Sequence, residues 1–533
     1  MGSKALNPHY EISRLQTGTP SSFKVQSEAS IPIALGIPGL QPAVEDSGED
    51  ASITETDKQR RLQTRIDWMI LPPLTICYFL LFTNRMNVQL IYSGDKRYDL
   101  DSNKYAIIQF LFSLTYALPE PVWNVLLRRL GPRIWLAPAL LLSGFLSVFC
   151  AVAKNWQGLA AIRFFIGLPL GALFPGCMYY ITCWYPRRKL GRPVAIFYAG
   201  GAMGSSLANL LNSALVKITA GGRVGSDWVC IIWGLVTFAS AIVVFFFIPD
   251  FPDEDDKVLR SVAEHEMFKR WYVATDSTRN ISEHYRRHAW KQVFTDMKTL
   301  LFILVRMSTV VARDGLTQRQ RENASALAVK LFTNPSDTTK NLLFVPPAFL
   351  AVITTIYIGI LSDKTSQRGY YIMVTSWFSI TAFIIFVSSE NVTLQYVAGF
   401  LGSIGTWAGG AISWVWMANN VEGLFKRAIM IGVNVGAGNL IGGFTIPATV
   451  TMPKKVGNYR MIGSAYFLGL SCLHFAAIVL TRWYLSNQNR EKQHQLQQGI
   501  RDQGDPNNTV EEDKGDKRYF VPISTVPYLC DHG

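Results

Sequence analysis

Eleven apolar blocks divide most of this chain, at residues 67–87, 105–127, 134–153, 158–185, 193–216, 227–248, 342–362, 370–388, 393–416, 428–450 and 463–485. Each is close to the roughly twenty residues a helix needs to cross a hydrocarbon core about 30 Å thick. The pattern predicts an all-α polytopic membrane protein embedded in a lipid bilayer. Of 533 residues 49% are hydrophobic and only 17% charged, a balance that suits a chain whose main solvent is lipid.

The net charge of +13 does not point to nucleic acid, because Lys and Arg sit between apolar blocks rather than in one patch interleaved with aromatics. Topology accounts for them. The cytoplasmic loops are predicted to be those holding Arg128, Arg129 and Arg133, then Arg187 to Lys189 with Arg192, then Lys364 and Arg368, then Lys426 and Arg427. Both termini are then cytoplasmic, and the plasma membrane is the expected location. Residues 1–60 lack helical periodicity and read as a disordered cytoplasmic tail. The expected order continues with an N-terminal six-helix half (61–248), a hydrophilic central cytoplasmic loop (249–298), a C-terminal six-helix half (299–485) and a cytoplasmic tail (486–533). No charged-then-apolar signal pattern opens the chain, so the first membrane helix is expected to direct insertion.

The seven cysteines show neither metal-ligand spacing nor a disulfide framework. Nothing matches a nucleotide-binding G-x-x-x-x-G-K-[ST] loop, a catalytic triad or a cofactor loop. An enzyme and a primary active pump are therefore disfavoured, and the chain is expected to work as a monomer without metal or cofactor.

Within the block at 158–185, Arg163, Gly167, Gly171 and Pro175 recur every fourth residue and so share one stripe of a helix. Small residues on such a stripe let a neighbouring backbone approach closely. An arginine inside a membrane helix costs at least about 2.5–3.5 kcal/mol, so it is expected to face a bundle interior or an aqueous cavity. The alternative is a snorkelling side chain near the helix start.

The seventh membrane segment is irregular. It opens acceptably as TLLFILVRMSTVVA (299–312) and continues RDGLTQRQRENASALAVKLFTNPSDTTK (313–340). Fourteen apolar residues rise only about 21 Å, and each of Arg313, Asp314, Arg319, Arg321 and Glu322 at lipid depth would cost about 2.5 kcal/mol or more. The seventh helix is therefore expected to be atypical or incomplete, and a protein carrying it poorly inserted or inactive.

RFFIG (163–167), FPG (174–176), WYPRR (184–188) and GRPVAIFY (191–198) resemble the fourth and fifth helices of the major facilitator superfamily, in the fungal allantoate permease branch of the anion:cation symporters. YALPEPVWNVLL (116–127), NLLFVPPAF (341–349), SWVWMANNVEGLFKRA (413–428) and GAGNLIGG (436–443) extend the resemblance over nearly the whole membrane region. It implies two six-helix halves rocking about a midplane site. It further implies proton-coupled uptake of a small organic anion, a carboxylate such as allantoate, a ureido compound or a vitamin, by alternating access. Family members stay apolar where this chain reads 313–341, so the exchange suggests a misread intron or frame in the gene, or a true lesion.

GILSDKTSQR (359–368) is similar to the superfamily's loop signature and makes Asp363, Lys364 and Arg368 a conformational brace, with Asp363 capping a helix and pairing with a cation. In the matching first-half loop Arg128 replaces the acid. Arg85 matches the family's first-helix arginine and, with Arg163, is the best anion ligand, since arginine grips a carboxylate with two parallel hydrogen bonds. An interfacial anchor is the competing role for Arg85. Three family acids are replaced by Asn84, Leu170 and Trp233, and Asn84 is a further candidate substrate ligand. Glu120 remains as the candidate proton-coupling group, suited to exchange protons by its apolar setting, with a carboxylate permanently paired to an internal arginine as its alternative. Trp414, Asn419 and Asn420 are expected to serve as gate or packing residues. The lost acids leave room for a specialised-metabolite facilitator or exporter, or for a non-transporting sensor or degenerate copy.

Overall fold

Prolines and glycines set where the helices break. The computed structural model describes residues 55–94, 96–255, 257–273, 287–421, 423–451 and 459–504. The first group of helices is α1 (Glu55–Gly94), α2 (Ser102–Ala117), α3 (Glu120–Leu130), α4 (Pro132–Phe149), α5 (Trp156–Trp184), α6 (Gly191–Leu215) and α7 (Gly225–Phe247). Pro119 and Pro121 flank Glu120 and lack the N–H that a helix interior needs, so the second apolar block ends α2 and restarts as α3 with Glu120 in its first turn. Gly131, at φ 84°, turns the chain into α4 where an L side chain would be strained.

The central segment holds α8 (Val262–Val273) and α9 (Arg287–Thr295). It is hydrophilic overall, yet α8 buries Phe268 and Tyr272 against the end of α5. The Phe268 ring lies 5.7 Å from that of Trp184, and the Tyr272 hydroxyl donates to the Thr182 carbonyl at 2.8 Å. Arg65 on α1 closes the same surface on Glu264 at 3.0 Å.

The second group is α10 (Met297–Leu331), α11 (Asp337–Leu342), α12 (Val345–Thr365), α13 (Arg368–Ser388), α14 (Val392–Ser403), α15 (Gly409–Asn419), α16 (Leu424–Thr451) and α17 (Tyr459–Gly504). A π-helical stretch, Ile404–Ala408, joins α14 to α15. There a β-carbon on Gly405 would stand 2.6 Å from the Thr375 carbonyl oxygen, so this backbone lies directly on α13. α17 runs past 485 to Gly504, so the expected second tail begins as helix; residues 505–533 and 1–54 lie outside the described residues.

Among the described residues, eight helices are long and apolar enough to cross a membrane. Their outer faces expose large apolar side chains such as Phe246, Phe247, Trp377 and Trp483, a surface that needs lipid rather than water around it. Where the two groups meet, small residues set the spacing. A β-carbon on Gly432 of α16 would lie 2.5 Å from Pro121 Cα, and one on Gly359 of α12 would lie 2.5 Å from Ala195 Cβ on α6, the close approach typical of small-residue crossings in membranes.

α10 departs from what its sequence suggests. It is atypical in composition but not cut short: 35 residues are helical without a break, about 52 Å of helix. The penalty expected for its charges assumed that they face lipid. Instead Arg313, Arg319, Gln320 and Asn323 are buried, and Asp314, Arg321 and Glu322 are partly covered and turned into the protein. Gln320 donates to the Gly399 carbonyl and the Ser403 hydroxyl of α14, and Gly315 fits against the Phe467 ring of α17.

Candidate functional site

A cavity of about 680 Å³ lies between the second halves of α1 and α10 and the start of α2. α1 contributes Phe82, Arg85 and Tyr92, α2 contributes Tyr105, and α10 contributes Asp314 and Arg321. Polar positions Asp314, Gln318, Arg321 and Ser325 recur every three or four residues, which places them on the one helix face that the cavity wets.

Two guanidinium groups look into this space. Arg85 Nη2 is 3.9 Å from Asp314 Oδ2. Arg321 rests with Nη2 3.9 Å from the Met86 sulfur and its head over the Phe344 ring at 5.7 Å, and has no carboxylate within 4 Å among the described residues. Seven residues of helix separate Asp314 from Arg321, a rise of about 10 Å along α10. Arg313 lies beneath, donating from Nε and Nη2 to Asp314 Oδ1 at 3.0 and 2.9 Å, with its guanidinium between the rings of Phe82 and Trp407 at 5.6 and 5.9 Å.

The residues singled out from sequence fall into three places. Arg85 lines the cavity. Asn84 and Arg163 do not: the Asn84 amide donates to Thr237 Oγ1 at 2.9 Å and accepts from Ser147 Oγ at 2.7 Å, while buried Arg163 donates from Nη1 to the Asn84 carbonyl at 3.0 Å. The stripe below Arg163 packs on α2, where a β-carbon on Gly171 would lie 2.3 Å from the Tyr116 carbonyl oxygen. Arg163 thus reaches the cavity through the α1 backbone, one residue before Arg85. Arg163→Ala is expected to lower the thermal midpoint and maximal uptake rate through loss of a charged hydrogen bond, about 1.5–3 kcal/mol. Substrate KM should change little, which a KM-against-maximal-rate comparison checks.

Glu120 is fully buried. Its Oε1 accepts from Asn439 Nδ2 at 3.2 Å, and Oε2 has no hydrogen-bond partner. No cation stands within ion-pair distance of it among the described residues, so the permanently paired alternative is not what the structure holds. Arg306 is likewise buried, with Nε and Nη1 unpartnered and its head 4.3 Å over the Trp414 ring. Sequence reasoning missed Asp314, Arg321, Arg313 and Arg306 as site residues; the three- and four-residue polar spacing on α10 was the signal for the first two.

An uncharacterized transporter of Schizosaccharomyces pombe is 27% identical over 464 residues, covering 84% of this chain and 87% of that protein. Among solved structures, FucP in the outward conformation aligns with a TM-score of 0.56 at 12% identity, covering 78% of this chain and 99% of that one. The human organic anion transporter MFSD10 (TETRAN) aligns with a TM-score of 0.55 at 12% identity and the same coverages. The Major Facilitator Superfamily model matches residues 74–316. Over that stretch the chain is similar to the major facilitator superfamily. It is a multi-pass membrane transporter, not an enzyme.

At the end of the molecule opposite the cavity the basic loops are tied together by hydrogen bonds. The Asp363 carboxylate accepts from Gly191 N at 2.7 Å, Arg192 N at 2.8 Å and buried Arg368 Nη2 at 3.1 Å. Arg368 also donates to the Arg187 carbonyl at 2.6 Å, to which Asn419 Nδ2 donates at 3.2 Å. Asn420 turns its amide to the Trp416 carbonyl at 2.7 Å. Lys364 lines a shallow groove beside Lys189 and Arg192. Asp363 and Arg368 therefore gather where α6, α12 and the start of α13 meet, with Asn419 at the end of α15 reaching the same Arg187 carbonyl, whereas Trp414 lies deeper, between Arg306 and the Phe174 ring at 5.2 Å.

Proposed function

We propose that this chain is a major facilitator transporter that moves a small organic anion bearing a carboxylate, by alternating access of two six-helix halves about the cavity. The observation that carries the reading is Arg321, a cation in the cavity wall with no carboxylate partner among the described residues, two helical turns along α10 from the Asp314 that faces Arg85. Two guanidinium forks in a largely apolar pocket favour anions that bind in parallel hydrogen-bonded pairs. The likeness to a human organic anion transporter is in keeping with this. With the basic loops in the cytoplasm, the cavity faces outward across the plasma membrane and loads substrate for uptake.

Coupling to protons is assigned to Glu120. A buried carboxyl with one oxygen unpartnered is suited to take and release a proton as its surroundings change. Glu120→Gln keeps shape and hydrogen bonding, so accumulation against a gradient should be lost while exchange of labelled for unlabelled substrate survives. The same pH-dependent accumulation in that variant would place the proton elsewhere.

The reading as a whole is tested with a panel of labelled carboxylates in transporter-deleted yeast, with the tagged protein localised in the same cells. Accumulation that collapses with a protonophore is the expected result. Uptake that persists unchanged would point to an uncoupled facilitator, and no uptake of any anion from a protein at the cell surface would count against transport of this class.

A further inference from the structure

We propose that Asp314 is a built-in counter-anion occupying the Arg85 subsite, and that a substrate carboxylate binds by taking its place. The inference rests on the organic-anion reading above and adds a specificity-determining residue to it. Asp314 sits on α10 and Arg85 on α1, so the contact joins the two helix groups across the cavity. Its two oxygens are treated differently. Oδ1 accepts two hydrogen bonds from Arg313, at 3.0 and 2.9 Å, whereas Oδ2 has no hydrogen-bond partner and only faces Arg85 Nη2 from 3.9 Å. That separation is beyond a hydrogen bond and leaves Coulomb attraction alone.

The arrangement makes Arg85 releasable. Arg313 is buried and held between two aromatic rings, so it neutralises Asp314 whether or not Arg85 stays. α16 backs the carboxylate closely: a β-carbon on Gly442 would lie 3.3 Å from Asp314 Oδ2. Asp314 therefore has a second cation to lean on, while Arg85 has a better partner available in any carboxylate that accepts two of its N–H groups in parallel. Arg321 has no such resident acid. One subsite is open and the other is held by a displaceable occupant, so a ligand must compete for Arg85 but not for Arg321.

An occupied subsite lowers apparent affinity by the fraction of time it is free. The experiment uses the full chain purified into lipid nanodiscs and labelled with phenylglyoxal, which adds to accessible guanidinium groups, with peptide mapping to read Arg85 and Arg321 separately. Succinate and benzoate serve as protecting probes. In Asp314→Asn, Arg85 should label faster than in the parent, and the probe concentration giving half-protection should fall about tenfold, with Arg321 labelling unchanged. Asp314→Glu, whose longer side chain reaches Arg85, should shift both Arg85 readings the other way; this second variant decides the matter if Asp314→Asn elutes aggregated. Protection of Arg85 at the same probe concentration in parent and variants, with equal labelling rates, overturns the counter-anion. Faster labelling in Asp314→Asn with no protection by either probe in any protein overturns the organic-anion reading, and with it the displacement step.

Discussion

Arg85→Ala and Arg321→Ala are each expected to abolish measurable uptake of the transported anion while leaving surface expression near that of the parent. Each removes a fork of charged donors from the cavity wall, and hydrogen bonds to charged groups contribute about 1.5–3 kcal/mol each. Two parallel bonds to one carboxylate therefore correspond to roughly a hundredfold or more in affinity. The structural cost is small in both cases. Without Arg85, Asp314 keeps both bonds from Arg313; without Arg321, no described carboxylate loses an ion pair. Lysine should rescue only in part, since it restores the charge but not the planar pair of donors, so Arg85→Lys is expected to show a raised KM with some transport left. Labelled-anion uptake normalised to surface protein checks this. Normal uptake in Arg321→Ala would remove the open subsite from the mechanism.

The sequence made the membrane helices legible because lipid demands long apolar runs, and eight of them read directly as spans among the described residues. The breaks were harder to see. Pro119 and Pro121 mark the interruption between α2 and α3, but no local signal marks the π-helical stretch at Ile404–Ala408, which accompanies a tight contact of Gly405 with α13 made across the fold. Arg85 and Asp363 could be picked out because they fall on positions that resemble the family's first-helix arginine and its loop signature. α10 misled for a different reason. Its charges were priced as if each met lipid, whereas burial on one face and the cavity on the other leave Arg313, Asp314 and Arg321 in contact with aromatic rings, with each other or with the cavity. Arg163 shows the converse limit: its stripe reads from sequence, but whether the guanidinium meets a ligand or the Asn84 carbonyl depends on where α1 packs.

Asp363→Ala is expected to shift the transporter strongly toward the state open at its basic end. In the closed arrangement this one carboxylate caps the start of α6 through Gly191 N and Arg192 N and neutralises Arg368, which is buried. The cap alone contributes about 1 kcal/mol. Leaving a buried charge without its partner costs about 3–5 kcal/mol, and these penalties fall on the closed state, because parting α6 from α12 lets water reach Arg368 and the freed N–H groups. A bias of about 3 kcal/mol or more moves a two-state equilibrium by at least two orders of magnitude. A single cysteine placed at Ala195, which faces Gly359 across that crossing, should then react with a membrane-impermeant maleimide from the basic side far faster in the Asp363→Ala background, and anion uptake should fall as the outward-loading state is depopulated. Asp363→Asn keeps one acceptor oxygen and should fall between the two. Equal cysteine reactivity in the parent and Asp363→Ala backgrounds would mean that the closed end is held by the Arg187 and Asn419 contacts instead.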